Sequence, residues 1–206
     1  LAAADDAESD GFSREQAKTF LKMAGQIKHE LRVSPLLHIL NSSGIFRFKE
    51  FQLDMVRLGI GLYGINPTVT PDQNLKPVAT LKTIISQIKK VKAGGTVGYG
   101  RKGMTKKDAT IATIAIGYAD GFSRAFSQGK GIVLINGKKA PVLGNVCMAM
   151  TMVDITGIDA KEEDDVIIYG KGLPIQEVAQ QINTIPYEIL TSTSERVKRI
   201  FHAESI

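Results

Sequence analysis

Apolar residues at Phe20, Ala24, Ile27 and Leu31 recur on one helical face, so the spacing predicts an amphipathic helix over residues 14–32. Ser13-Arg14-Glu15-Gln16 has the pattern of a capping box, with Phe12 and Ala17 placed to form a hydrophobic staple. Pro35 separates this helix from Leu36-Leu37-His38-Ile39-Leu40, a short apolar run that reads as a buried strand. A polar loop, Asn41-Ser42-Ser43-Gly44, follows it. A short helix around Lys49 to Leu53 leads to a second apolar strand, Met55 to Ile60, and then to Leu62-Tyr63-Gly64-Ile65. Buried strands alternating with helices indicate βα units and a parallel sheet. Two units and a leading fragment are too few to close a barrel or cover a sheet. Residues 1–68 are therefore expected to be the tail of an α/β domain whose front is absent.

Beyond Pro67 to Pro77, a linker by composition, the period changes. Leu81 to Val91 suits a helix nearly as well as a strand; its β-branched content and the Gly94-Gly95 stop favour a strand. The run from Ile111 climbs to Gly117 and delivers Tyr118 onto a turn closed by Asp120-Gly121. Gly131 to Gly137 and Ala140 to Leu143 form a predicted hairpin about Asn136-Gly137. Met150 to Ile155 and Asp165 to Tyr169 add two strands, and Pro174 opens a helix with Ile175, Val178, Ala179 and Ile182 on one face. Residues 69–206 are thus expected to form a C-terminal antiparallel β-domain, a sandwich or barrel.

Composition narrows the classes of function. The 206 residues are 43% hydrophobic and 23% charged, enough to bury a core, and no apolar run reaches membrane-spanning length. The opening Leu-Ala-Ala-Ala-Asp-Asp has no signal-peptide pattern, and a first residue of Leu points to a part of something longer. One cysteine, Cys147, excludes an intrachain disulfide and fits a reducing, cytoplasmic setting. With three dispersed histidines there is no zinc motif, and no metal is expected. Much of the +5 charge gathers between Lys76 and Lys107. That run holds only Tyr99 for base stacking, so a solvated strand face is the better reading than a nucleic-acid site.

Candidate chemistry sits first at the carboxyl ends of the α/β strands. The Ser42 hydroxyl can donate to a phosphate oxygen, and Gly59-Ile60-Gly61 leaves backbone amides open to an anion. Arg57, inside an apolar strand, needs a partner; His38 points away from Leu37 and Ile39. By themselves these two read as a structural pair and a satisfied core histidine. Tyr118, at a strand exit, is placed for acid–base work, provided positive charge lowers a pKa near 10; alone it reads as an amphipathic Tyr at a strand rim.

The ordered set Leu-Ala-Ala-Ala-Asp-Asp, His38-Ile-Leu-Asn-Ser42, Arg57 to Gly64, Val97-Gly-Tyr-Gly-Arg101, Gly117-Tyr-Ala-Asp-Gly121, Gly144-Asn-Val-Cys-Met148 and Arg196-Val-Lys-Arg199 resembles alanine racemase along the whole chain. The resemblance implies the last strands of a pyridoxal-phosphate-dependent (β/α)8 TIM barrel followed by the β-domain. The phrasing is also similar to racemase modules fused behind a peptidoglycan-precursor ligase. It implies interconversion of L- and D-alanine for peptidoglycan, with pyridoxal 5'-phosphate stabilising the α-carbanion. Under it, Tyr118 is the acid/base on one face of the α-carbon, and it reaches the neighbouring subunit's site. Met148 offers its backbone N–H to the substrate carboxylate, again across a homodimer. Arg57 meets the pyridine nitrogen and keeps it unprotonated, which favours reprotonation over transamination. His38 orients Arg57, and Ser42, Gly59 and Ile60 hold the phosphate.

Three departures qualify the resemblance. Ala149 stands where the family usually has Asp, Asn145 where Arg is common, and Lys198 where Pro is usual. The first two touch substrate preference and rate. The lysine that forms the cofactor's Schiff base in this family has no counterpart motif here, so these residues alone are expected to be inactive. A racemase of another amino acid, such as serine, and a non-catalytic dimerisation or binding descendant are the other readings.

Overall fold

Helix α1 (Asp10–Leu31) starts ahead of its predicted boundary. Ser13 therefore lies inside the helix, fully buried, and cannot act as the cap. The entry is held instead by Asp6, whose carboxylate accepts from the Glu8 N–H and the Ser9 hydroxyl in the single 3-10 turn Ala7–Ser9. The computed structural model describes residues 1–68 and 75–202; part of the predicted 67–77 linker falls outside them. The chain divides into two units, the first ending at Ala79 and the second beginning at Thr80.

In the first unit a small core gathers Ala4, Leu40 and Phe48, with Ile39, Ile45, Phe51 and Val56 packed against it. The Arg14 and Arg47 guanidiniums lie 5.2 and 5.5 Å from the Phe48 ring centroid. Their ion pairs with Glu50 and Asp10 tie α1 to the segment after α2 (Ser42–Arg47) and to α2 itself. The two predicted strands, Leu36 to Leu40 and Met55 to Ile60, do not form. Asp54 N–H to the Leu37 carbonyl (3.2 Å) and Arg57 N–H to the Leu40 carbonyl (3.0 Å) set the segments side by side without making a ladder. A strand is defined by repeated pairing, and the described residues offer these segments none. Leu36 and Leu58 are correspondingly exposed. The predicted helix near Lys49 is a 3-10 turn, Lys49–Phe51.

The second unit matches its predicted elements more closely. Strands β1 (Leu81–Val91), β4 (Ala109–Ile114), β5 (Ile132–Ile135), β6 (Lys138–Pro141), β7 (Thr151–Asp154) and β8 (Asp165–Tyr169) form one antiparallel sheet in the order β6-β5-β8-β1-β4-β7. Strand β1 pairs with β8 through Leu81 to Ile84 and with β4 from Ile85 onward, with irregularities at Leu81/Lys82 and Ile85/Gln87 that let it bend. The two outer strands meet through a Val142–Val153 bridge and the Leu143 N–H to Met152 carbonyl bond (2.8 Å). Of the two expected architectures, the sheet is thus a nearly closed barrel. Ile85, Ile114, Ile135, Val153 and Val166 fill it. Asn136 (φ 48°) and Gly137 (φ 75°) turn the β5–β6 hairpin as their sequence requires. A small pair, β2 (Thr96–Val97) and β3 (Gly103–Met104), stands beside it. Helices α3 (Ile175–Gln180) and α4 (Pro186–Thr191) follow, the second without a prior sequence signal. On the basic stripe, Lys82 pairs with Asp165 (2.8 Å) and Lys92 with Asp108 (2.7 Å), as on a solvated, ion-paired face.

Candidate active site

In the first unit the candidate anion site is built on Ser42. Asn41, just before α2, accepts the Gly44 N–H at 3.0 Å and fixes the loop. The Ser42 side chain is buried, and its oxygen accepts the N–H groups of Gly59 (3.0 Å) and Gly61 (3.3 Å). The Ile60 N–H has no acceptor among the described residues. Two amides thus converge on the Ser42 hydroxyl, with the unengaged Ile60 N–H between them in sequence, donor types suited to a phosphate. The Gly59 and Gly61 amides named from the Gly-Ile-Gly spacing are both engaged by the Ser42 oxygen. A Cβ on Gly61 would lie 2.6 Å from the Leu58 side chain.

His38 and Arg57 ride on the two side-by-side segments, and both are exposed. His38 is therefore not a core histidine, and Arg57 does not sit in a buried strand. Arg57 is exposed, and no hydrogen bond joins the His38 and Arg57 side chains among the described residues. Each remains open to a ligand. Among the described residues no cluster of His, Cys, Asp or Glu could hold a metal ion, and no helix is long and apolar enough to cross a membrane.

In the second unit Tyr118 and Met148 come together. Strand β4 ends at Ile114 rather than at Gly117, and Tyr118 opens a 3-10 turn, Tyr118–Asp120. Past its end Thr151, buried on β7, donates its hydroxyl to the Ile116 carbonyl (2.7 Å). Tyr118 N–H then donates to the Cys147 carbonyl (3.0 Å) and Ala119 N–H to the Met148 carbonyl (2.9 Å). A Cβ on Gly117 would fall 2.2 Å from the Cys147 oxygen, so only glycine allows this approach. Phe122 stacks on Phe126 at 4.5 Å between centroids and roots the turn in the core. Cys147 is anchored with Ile111 and Met152. The outcome is a base carrying an exposed Tyr118 (48%) and an exposed Met148 whose own N–H takes no acceptor among the described residues. Asn145 spans Gln128 and the Tyr99 carbonyl, both at 3.4 Å.

Comparison with known proteins decides the family. The family model described as "Alanine racemase, N-terminal domain" matches residues 1–67, and "Alanine racemase, C-terminal domain" matches residues 78–201. The chain belongs to the alanine racemase family. The alanine racemase of Desulforamulus reducens is 39% identical over 204 residues, covering 97% of this chain and 55% of its own length. The structure of alanine racemase from Bartonella henselae, with covalently bound pyridoxal phosphate, aligns at TM-score 0.88 and 38% identity over 97% of this chain and 54% of its own. That from Streptomyces lavendulae, a D-cycloserine producer, aligns at 0.91 and 33% identity over 100% and 55%. The chain spans about half the length of the curated relatives it matches. In alanine racemase terms, the first unit carries the Ser42 donor set and the second the Tyr118–Met148 pair.

Proposed function

We propose that the chain is the C-terminal part of a pyridoxal 5'-phosphate-dependent alanine racemase that interconverts L- and D-alanine for peptidoglycan synthesis in the cytoplasm. The observation that carries this reading is the backbone joint between the Tyr118–Ala119 turn and Cys147–Met148, which sets two exposed residues, Tyr118 and Met148 with its unused N–H, on one support. A base and a carboxylate anchor carried on one support suit an amino acid whose α-proton is to be moved. The first unit would then be the end of a (β/α)8 barrel, its unladdered segments 36–40 and 55–60 being strands that find their neighbours in the longer protein.

The donor set fits the cofactor: Ser42 with the amides of Gly59, Ile60 and Gly61 would hold its phosphate. Bound there, the cofactor supplies delocalisation of negative charge from the α-carbon. Arg57, a permanent cation that can only donate, would keep the ring nitrogen unprotonated, with His38 orienting it. Tyr118 would take or return the proton on one face, at its phenolic oxygen. Site completion requires a second copy, to which Tyr118 and Met148 reach, so the active species is a homodimer. The 206 residues alone, without the cofactor-binding lysine motif, should give no turnover.

In the full-length enzyme, Tyr118→Phe should lower kcat at least about a hundredfold while the cofactor's absorbance stays unchanged. Activity within a factor of two of wild type would overturn the reading. A second reading, racemisation of another amino acid such as serine, draws on Ala149 and on Asn145, which offers a neutral amide where the resembling family has a cation. A substrate profile with serine turning over faster than alanine would favour it.

A further inference from the structure

The segment after α4 grips the Tyr118 turn with bonds that no catalytic role explains. The Asp120 carboxylate, only 13% exposed, uses both oxygens: one accepts the Gly117 N–H at 2.9 Å, the other faces Arg196 Nε at 3.0 Å. The Asp120 carbonyl accepts the Ser194 N–H (3.1 Å), and the Gly121 carbonyl accepts the Ser192 hydroxyl (3.2 Å). Gly121 sits at φ 103°, and a Cβ there would meet the Ser192 oxygen at 2.2 Å. The tail is itself folded locally, with Val197 N–H on the Ser194 carbonyl and Arg199 on the Thr193 carbonyl. A three-residue turn has little rigidity of its own. A mostly buried carboxylate bonded to the amide just before Tyr118 transmits the tail's position to the phenol.

We propose that Arg196 and Asp120 are positioning residues that fix the Tyr118 phenol by clamping its turn to the 192–196 segment, an inference that rests on Tyr118 being the acid/base of one face. Arg196 is half exposed, so its attraction to Asp120 adds little to global stability. Its effect is on aim. A displacement of about 1 Å at an acid/base costs up to about a hundredfold in rate.

The test uses the full-length, cofactor-loaded enzyme and α-deuterated L- and D-alanine with Arg196→Ala, Arg196→Lys, Asp120→Asn and Tyr118→Phe. Arg196→Ala and Asp120→Asn should lower kcat about tenfold or more, with KM little changed. The deuterium isotope effect should rise in one direction only, the one in which residue 118 removes the proton, and Arg196→Lys should recover part of the loss. Independently of turnover, the Gly117 and Phe122 amides should exchange with solvent faster in both variants than in wild type. Equal isotope effects in the two directions, or wild-type amide exchange, overturn the clamp. If Tyr118→Phe leaves rates and isotope effects at wild type, the acid/base reading itself has failed; if Tyr118→Phe abolishes turnover while the Arg196 and Asp120 variants behave as wild type, only the clamp has. Should Arg196→Ala not fold, Arg196→Lys and Asp120→Asn decide on the same readouts.

Discussion

The two units place their candidate residues by opposite means. In the second, Tyr118 and Met148 stand on a sheet whose outer strands meet and whose interior is filled, so every supporting bond is internal to the unit. In the first, the Ser42 site stands on segments 36–40 and 54–60, which touch through the Asp54–Leu37 and Arg57–Leu40 backbone bonds, and on a core of Ala4, Leu40 and Phe48. Side-by-side antiparallel strands satisfy themselves with short turns, whereas parallel strands need neighbours from distant sequence. The difference teaches that a donor cluster can close through side chain and loop, as at Ser42, where the segments carrying it make no ladder among the described residues.

The strongest way to break this comparison is to empty each core. Phe126→Ala removes a buried, stacked ring and should cost about 3–5 kcal/mol, read by denaturant unfolding with hydrogen exchange following the β-sheet amides. Phe48→Ala, in the smaller core, should instead raise exchange at amides 39–51; equal protection of those amides in the variant and wild type would contradict the account of the first unit. Next comes Gly117→Ala, which drives a methyl into the Cys147 and Met148 carbonyls and should cost about 2–3 kcal/mol. If that variant melts with wild type, the joint between Tyr118 and Met148 is looser than described. Ser42→Ala strips the hydroxyl that the Gly59 and Gly61 amides share, and in the full-length enzyme should weaken cofactor binding about tenfold, measured by titration of the absorbance. An unchanged affinity would remove Ser42 from the phosphate site.

The smallest effect concerns acid. The Lys161 N–H, and after it the Asn136 side chain, hold the Asp164 carboxyl below its ordinary value. A lowered folded-state pKa stabilises above the unfolded value and loses that contribution as pH falls through the folded one. Asp164→Asn should therefore lower stability slightly at neutral pH, leave it nearly unchanged in acid below the folded-state pKa, and so flatten the acid limb of the stability curve; a curve as steep as wild type would reject the link.

Local pattern was enough wherever local bonds decide. The bounds of β1 and β8, the Asn136-Gly137 hairpin and the face of α3 follow from side-chain period and turn chemistry that each segment carries itself. That a hydroxyl at Ser42 and open amides at Gly59-Ile60-Gly61 could do chemistry was legible in residue type; that Gly59 and Gly61 donate to Ser42, seventeen and nineteen residues away, was not. Other features depended on contacts across the chain. Ser13 could not cap, because α1 had already begun and buried it. His38 and Arg57 are exposed because no ladder covers their segments. The grip of Arg196 on Asp120 joins residues far apart in sequence, and no periodicity encodes such a pair. The sequence by itself determined the family, the β-domain's strands and which side chains could do chemistry, since composition and period are properties of the chain. Only the tertiary structure decided that the sheet nearly closes, that Tyr118 leaves it early and that Met148 meets it there, because those outcomes turn on which distant carbonyl each freed N–H can reach.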